Sequence, residues 1–227
     1  MTRDERPLRF VSGATWFALA VLLAVQIAWR ALQAPGAPSA ADLPPRPSVS
    51  ALRLASFGEP QATARLTMLY LQAFLHRDLD YARLVGWLEG VLALDPRSDY
   101  PLFAAARVYA ENPDPARSRL ALDFVYRQFM ADPDRRWPWL AHGALLAKHR
   151  LKDLPLARQY AAAVERHARS AGVPLWARQM EVFILEDMGE LEAARIMLGG
   201  LLESGQVTDP GEARFLRHRL EELEKHR

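Results

Sequence analysis

The sequence predicts an all-α chain: an N-terminal transmembrane helix, then an α-solenoid of about four helical hairpins, closed by a C-terminal capping helix. Three observations carry that expectation. A run of 20 residues without a charge, FVSGATWFALAVLLAVQIAW at 10–29, stands near the N-terminus. Three proline-led segments of one pattern recur at intervals of 37 and 36 residues. Triads of mostly apolar residues at helical spacing run in step with them.

Composition sets the outer limits. The chain has 227 residues, half of them apolar and a quarter charged, which accommodates one ordinary domain with appendages. A net charge of +2 and a pI of about 9.1 come from arginines balanced by Asp and Glu rather than from a basic patch. No nucleic-acid partner is therefore expected. The absence of cysteine excludes disulfides, CxxC redox chemistry, thiolate zinc sites and covalent haem attachment.

Residues 1–9 form a short tail holding Arg3, Arg6 and Arg9. The stretch 10–30 reads as a membrane anchor, because 20 residues at helical rise span roughly 30 Å, the thickness of a bilayer core. Trp16 and Trp29 are amphipathic, and Trp29 beside Arg30 sits where an interfacial anchor belongs. Two other readings compete with it. A cleaved signal peptide has a shorter apolar region of ~7–15 residues, and here Arg30 interrupts the route to a small-residue cleavage site; a buried core helix would not need so long a charge-free run. More arginines precede the segment than follow it, where Arg30 and Arg46 stand. That bias places the N-terminus in the cytoplasm and the bulk of the chain across the membrane. In a Gram-negative bacterium this means a single-pass inner-membrane protein with a periplasmic domain.

Residues 31–58 form a Pro-rich linker, densest at 34–50 with Pro35, Pro38, Pro44, Pro45 and Pro47. Such a segment favours extended polyproline geometry and acts as a semi-rigid spacer. The remainder, 59–227, is the repeat domain. Its first series consists of YPLFAAARVYA at 100–110, WPWLAHGALLA at 137–147 and VPLWARQMEVF at 173–183. Each places Pro101, Pro138 or Pro174 in what is expected to be the first turn of a helix, where a missing N–H is harmless. The second series has spacing 0, 4, 7, one helical stripe: Leu84, Leu88, Val91; Ala121, Val125, Gln128; Ala157, Ala161, Val164; and Ala194, Leu198, Leu201. The unit is a helical hairpin of 36 or 37 residues, with a looser copy at 60–96.

This pattern resembles the tetratricopeptide-repeat family, in a membrane-anchored form. The likeness lies in the small or apolar positions of the second helix and the proline that ends the unit: Leu84, Leu88, Val91 and Pro96, then Ala121, Val125 and Pro133. GELEAARIMLGGLLESG at 189–205 and LEGVLALDP at 88–96 also look like that family's second helix. The chain departs from it in a longer period, a degenerate first helix and a missing proline in the third unit. The resemblance covers 60–205 and implies stacked hairpins that bind protein segments on the face of their first helices.

Stacked hairpins need a closing helix, and DPGEARFLRHRLEELEKH at 209–226 suits that role. Asp209, Pro210 and Glu212 form a capping-box arrangement. Phe215, Leu216, Leu220 and Leu223 make its apolar stripe.

Reaction chemistry finds little foothold. There is no phosphate loop, nucleophile elbow or HExxH, so no enzyme, no cofactor and no small-molecule substrate is expected. The one metal-ligand candidate is His142, His149 and Asp153, which would make the chain an envelope hydrolase or a subunit of one; no second carboxylate or histidine is placed to complete its shell. His76, His167, His218 and His226 fall among surface charges. The leading expectation is a scaffold or adaptor for protein partners, an accessory or assembly subunit of a membrane complex, with tethering raising local concentration. Within RRWPWLAHG at 135–143, Pro138, Trp139, Leu140 and Ala141 recur in kind in the sister segments, so Trp139 reads as core. Arg135, Arg136, Trp137 and His142 do not recur, or exceed their counterparts in size, and are the candidate partner-binding residues. Trp137 beside paired arginines has the composition of an interface anchor; local stacking of Trp137 under an arginine is the alternative.

Overall fold

A computed structural model describes residues 12–32, 43–74, 79–205 and 207–225, with side chains of the first helix described as far as Trp29. The N-terminal arginines, Phe10, Val11, the linker at 33–42, His76 and His226 lie outside that set. Eleven α-helices and no strand occur among the described residues. The chain divides near residue 41 into two units.

The first unit is α1, Gly13–Leu32. The Ser12 carbonyl accepts from the Thr15 and Trp16 amides at the start of the described helix. Every described side chain of α1 is exposed. Among the described residues no helix is long and apolar enough to cross a membrane. The predicted span over 10–30 thus finds no support in the helix as folded. Phe10 and Val11, the first two residues of the predicted span, lie outside the described residues.

The second unit begins earlier than the linker reading places it. Part of 31–58 is folded: Leu43 is fully buried, and the Pro44 carbonyl accepts from Trp87 Nε1 at 2.8 Å. Ser48 then caps α2, Val49–Ala55, accepting from the Ala51 amide. The prolines do prevent a helix over 43–47. Extended backbone, however, leaves its carbonyls free, and Arg83 and Trp87 supply the donors.

Four antiparallel hairpins follow, compatible with an α-solenoid. They pair α3, Pro60–Gln72, with α4, Tyr81–Leu94; α5, Tyr100–Arg107, with α6, Pro115–Ala131; α7, Pro133–His149, with α8, Leu154–His167; and α9, Leu175–Asp187, with α10, Leu191–Glu203. A 3-10 turn at Tyr109–Glu111 extends α5. Consecutive helices pack on one another, and α4 on α6, α5 on α7 and α7 on α9 join hairpin to hairpin. Aspartates start three of the second helices: Asp80, Asp114 and Asp153 each accept a first-turn amide, satisfying donors that no intrahelical carbonyl can reach.

The predicted second-helix stripes are the buried faces. Leu84, Leu88, Val91, Ala121, Val125, Ala157, Ala161, Val164, Ala194 and Leu198 are all at 1% exposure or less; only Gln128 and Leu201 are partly exposed. The prolines of the first helices do not share the predicted position. Pro101 lies in the first turn of α5, Pro138 lies inside α7, and Pro174 precedes α9 as its N-cap. Helix α7 opens instead at Pro133, because Asp132 ends α6 and starts α7 with no loop between them.

Helix α11, Pro210–Lys225, packs on α10. Asp209 Oδ1 accepts from the Gly211 amide at 3.1 Å, as a cap should. Glu212 does not complete a box with it; its carboxylate accepts from Gln179 on α9 at 3.1 Å, tying the cap to the array. Leu216 and Leu223 are buried, whereas Phe215 is mostly exposed and lies beside the Phe183 ring of α9. Among the described residues the apolar interior forms two clusters: a large one from Leu43 to α9, and a small one of Val182, Leu185, Ala194, Leu198, Leu216 and Leu223.

Candidate protein-binding site on the first-helix face

The arginine pair is structural. Arg136 is 5% exposed; its Nη1 donates to the Gln128 carbonyl at 2.8 Å and to Gln128 Oε1 at 3.0 Å, and its Nη2 to the Pro96 carbonyl at 3.1 Å. Arg135 reaches the same Pro96 carbonyl at 2.6 Å and pairs with Asp132 at 2.8 Å. Both therefore bind the turn that ends α4 to the start of α7. Burial, and then the neighbouring Arg135 charge, depress the Arg136 pKa, but a guanidinium stays protonated even so. Gln128, the one polar residue in the second-helix triads, is the partner that Arg136 requires.

Trp137 and His142 lie elsewhere, around an aromatic cavity of about 420 Å³. Its walls come only from α5, α7 and α9, the first helices of three successive hairpins: Phe103 and Arg107 on α5, Trp137, Trp139 and His142 on α7, Trp176 on α9. The rings interlock across helices. Trp139 meets Phe103 edge-on at 5.9 Å, and Trp137 meets Trp176 at 5.6 Å with 72° between planes. Such edge-to-face pairs add stabilisation beyond their burial and hold the walls apart as a formed cavity. Trp139 thus lines the cavity while also packing against the core, of which Leu140, Ala141 and Ala144 are the fully inward residues of this helix.

Among the described residues lining the cavity, Arg107 carries the one charge. The Arg107 guanidinium ends α5 and lies 3.5 Å from Nδ1 of His142, a long contact. Among the described residues no carboxylate pairs with it. Burial, and secondarily Arg107, hold the His142 pKa below its ordinary value, so the imidazole is neutral at pH 7. Nδ1 faces the guanidinium, and Nε2 is buried without a hydrogen-bond partner.

The alternative metal triad does not assemble. Asp153 caps α8 through the Leu156 amide at 2.9 Å and pairs with Arg119 at 2.6 Å. The backbone hydrogen bond, with help from Arg119, holds its carboxyl below the usual range. His149 is exposed at the end of α7, while His142 faces the cavity. No group of three potential ligands occurs among the described residues.

Sequence reasoning missed Phe103, Arg107, Trp139 and Trp176. A signal did exist: Phe103 and Trp176 both stand two residues after the repeat proline, where buried Leu140 stands in α7. In α7 it is Trp139, not Leu140, that lines the cavity. Protein-family models, curated proteins and solved structures yield no match to the chain.

Proposed function

We propose that this chain is a non-enzymatic scaffold that grips a protein partner with the first-helix face of a tetratricopeptide-like array, and that α1 tethers it to a membrane. The aromatic cavity carries this reading. An apolar hollow with a single charge, built from three hairpins at once, is the composition of an interface hot spot, rich in Trp and Arg. The surrounding face continues it, with Phe103, Leu145 and Trp176 each at least 40% exposed.

Tethering is supported by α1. Trp16, Phe17, Leu22, Val25 and Ile27 are all half-exposed or more and lie on different sides of the helix. A helix apolar all round and uncovered calls for lipid or for other helices around it. Lipid contact over residues 10–29, with the array on the periplasmic side of a bacterial inner membrane, is the arrangement that the arginine bias favours. The chain then serves as an accessory or assembly subunit of an envelope complex.

The test is affinity purification of the tagged full-length chain from native membranes, beside Trp137→Ala and Trp176→Ala variants. The scaffold reading expects one or more proteins to co-purify with the parent and to be lost from both variants, but retained by His149→Ala. Equal recovery from all four would sink it. Release of the chain by alkaline carbonate would sink the tether alone.

A further inference from the structure

We propose that the occupant of the cavity is an internal, extended segment of a partner protein, in which a large apolar side chain fills the aromatic hollow and an adjacent Asp or Glu pairs with Arg107. This deepens the scaffold reading and rests on it. Charge complementarity selects the acid. Among the described residues lining the cavity, Arg107 is the sole ionised group at neutral pH, with His142 held neutral, and no described carboxylate pairs with it. A guanidinium beside low-dielectric aromatic walls gains more from a carboxylate than one in open water. Glu111, in the 3-10 turn after α5, lies near enough to act on His142. It does not pair with Arg107, so that position is left to a ligand.

The course of the aromatic surface selects a passing segment over a chain end. Tyr100 stacks on Phe103 at 6.1 Å, and Gln72 on α3 donates to the Tyr100 hydroxyl. The aromatic row thus extends from the cavity along α5 to Tyr100, which is anchored by Gln72 of α3, while Trp176 extends it to α9. Helices pack ~8–10 Å apart, so α5 to α9 spans roughly 20 Å, or about six extended residues at ~3.3 Å each. A chain terminus would use one end of this row and leave the rest bare.

The probe is a set of fluorescent hexapeptide pools, acetylated and amidated, each with a fixed Phe next to a fixed Asp, Asn or Lys and random elsewhere. Anisotropy is read against the full-length chain in detergent. The Asp pool is expected to bind at least tenfold more tightly than the Asn pool, and the Lys pool more weakly still. Arg107→Gln should erase the Asp preference and Arg107→Glu reverse it toward Lys, with circular dichroism unchanged; Arg107 is at the exposed end of its helix, so both variants should fold. Trp176→Ala should weaken every pool. Equal binding of Asp and Asn pools, an Asp preference that survives Arg107→Glu, or tighter binding of pools with a free C-terminal carboxylate would each overturn the proposal. If no pool binds while native-membrane partners still depend on Trp176, this inference fails and the scaffold reading stands. If neither depends on Trp176, both fail.

Discussion

Arg136 shows how a residue that looks like a surface anchor becomes a structural one. Its guanidinium sits where three backbone or amide oxygens converge from two turns, Gln128 on α6 and Pro96 after α4. Hydrogen bonds to a charged donor contribute about 1.5–3 kcal/mol each in favourable cases; loss of Arg136 would remove this donor from the Gln128 carbonyl, while Arg135 still reaches that of Pro96. Arg136→Ala is therefore expected to lower stability by about 2–4 kcal/mol in urea titration. Arg135→Ala should cost less than ~1 kcal/mol, since its ion pair with Asp132 is a third or more exposed on both sides. Equal, small losses for both would show that the Pro96 turn holds without them. In the sequence these two arginines are indistinguishable neighbours. What separates them is the 100° turn between successive helical residues, which points one inward, and that depends on where α7 begins.

At the scale of the element, α7 is the informative case. Pro138 is its sixth residue, so its ring crowds the Asp134 carbonyl and that carbonyl gets no intrahelical bond from residue 138. The first turn is used otherwise: the Asp134 carboxylate accepts the Arg169 and Ser170 amides, both at 2.7 Å, which fastens the α8–α9 loop to α7. Pro138→Ala would restore the bond and remove the clash, and is expected to stabilise the protein by about 1–3 kcal/mol in thermal unfolding. The gain should come with weaker partner retention, because Pro138 lies between the two tryptophans that form the cavity wall. A loss of stability on Pro138→Ala would mean that the proline's packing outweighs its backbone cost. The stripes of α4, α6, α8 and α10 were legible from spacing alone, since a helical period of 3.6 admits only one face for residues at 0, 4 and 7. The prolines were not so readable, because proline is compatible with the N-cap, the first turn and a strained interior, and only the preceding loop decides among them.

For the whole molecule, the two apolar clusters imply two degrees of stability. The smaller depends on α11, whose Leu216 and Leu223 cover Val182, Leu185 and Leu198, while Arg219 pairs with the largely buried Glu186. Deleting 209–227 should expose that cluster, so that amides of α10 and the end of α9 exchange like unfolded chain while α4, α6 and α8 stay protected. Uniform loss of protection would instead show a single cooperative unit. The sequence by itself determined the all-helical hairpin count, the buried stripe of each second helix, the need for a C-terminal cap and the charge-free run at 10–29. These follow from local rules of period, capping and composition, each of which acts within a few turns of chain. Only the tertiary structure decided that residues 43–55 belong to the array, that Arg135 and Arg136 bind Pro96, and that Phe103, Arg107, Trp137, Trp139, His142 and Trp176 share one cavity. Those residues span more than seventy positions in the chain, and their meeting depends on how far each first helix is rotated against the next. That rotation is set by loop lengths and packing between hairpins, which no single repeat encodes.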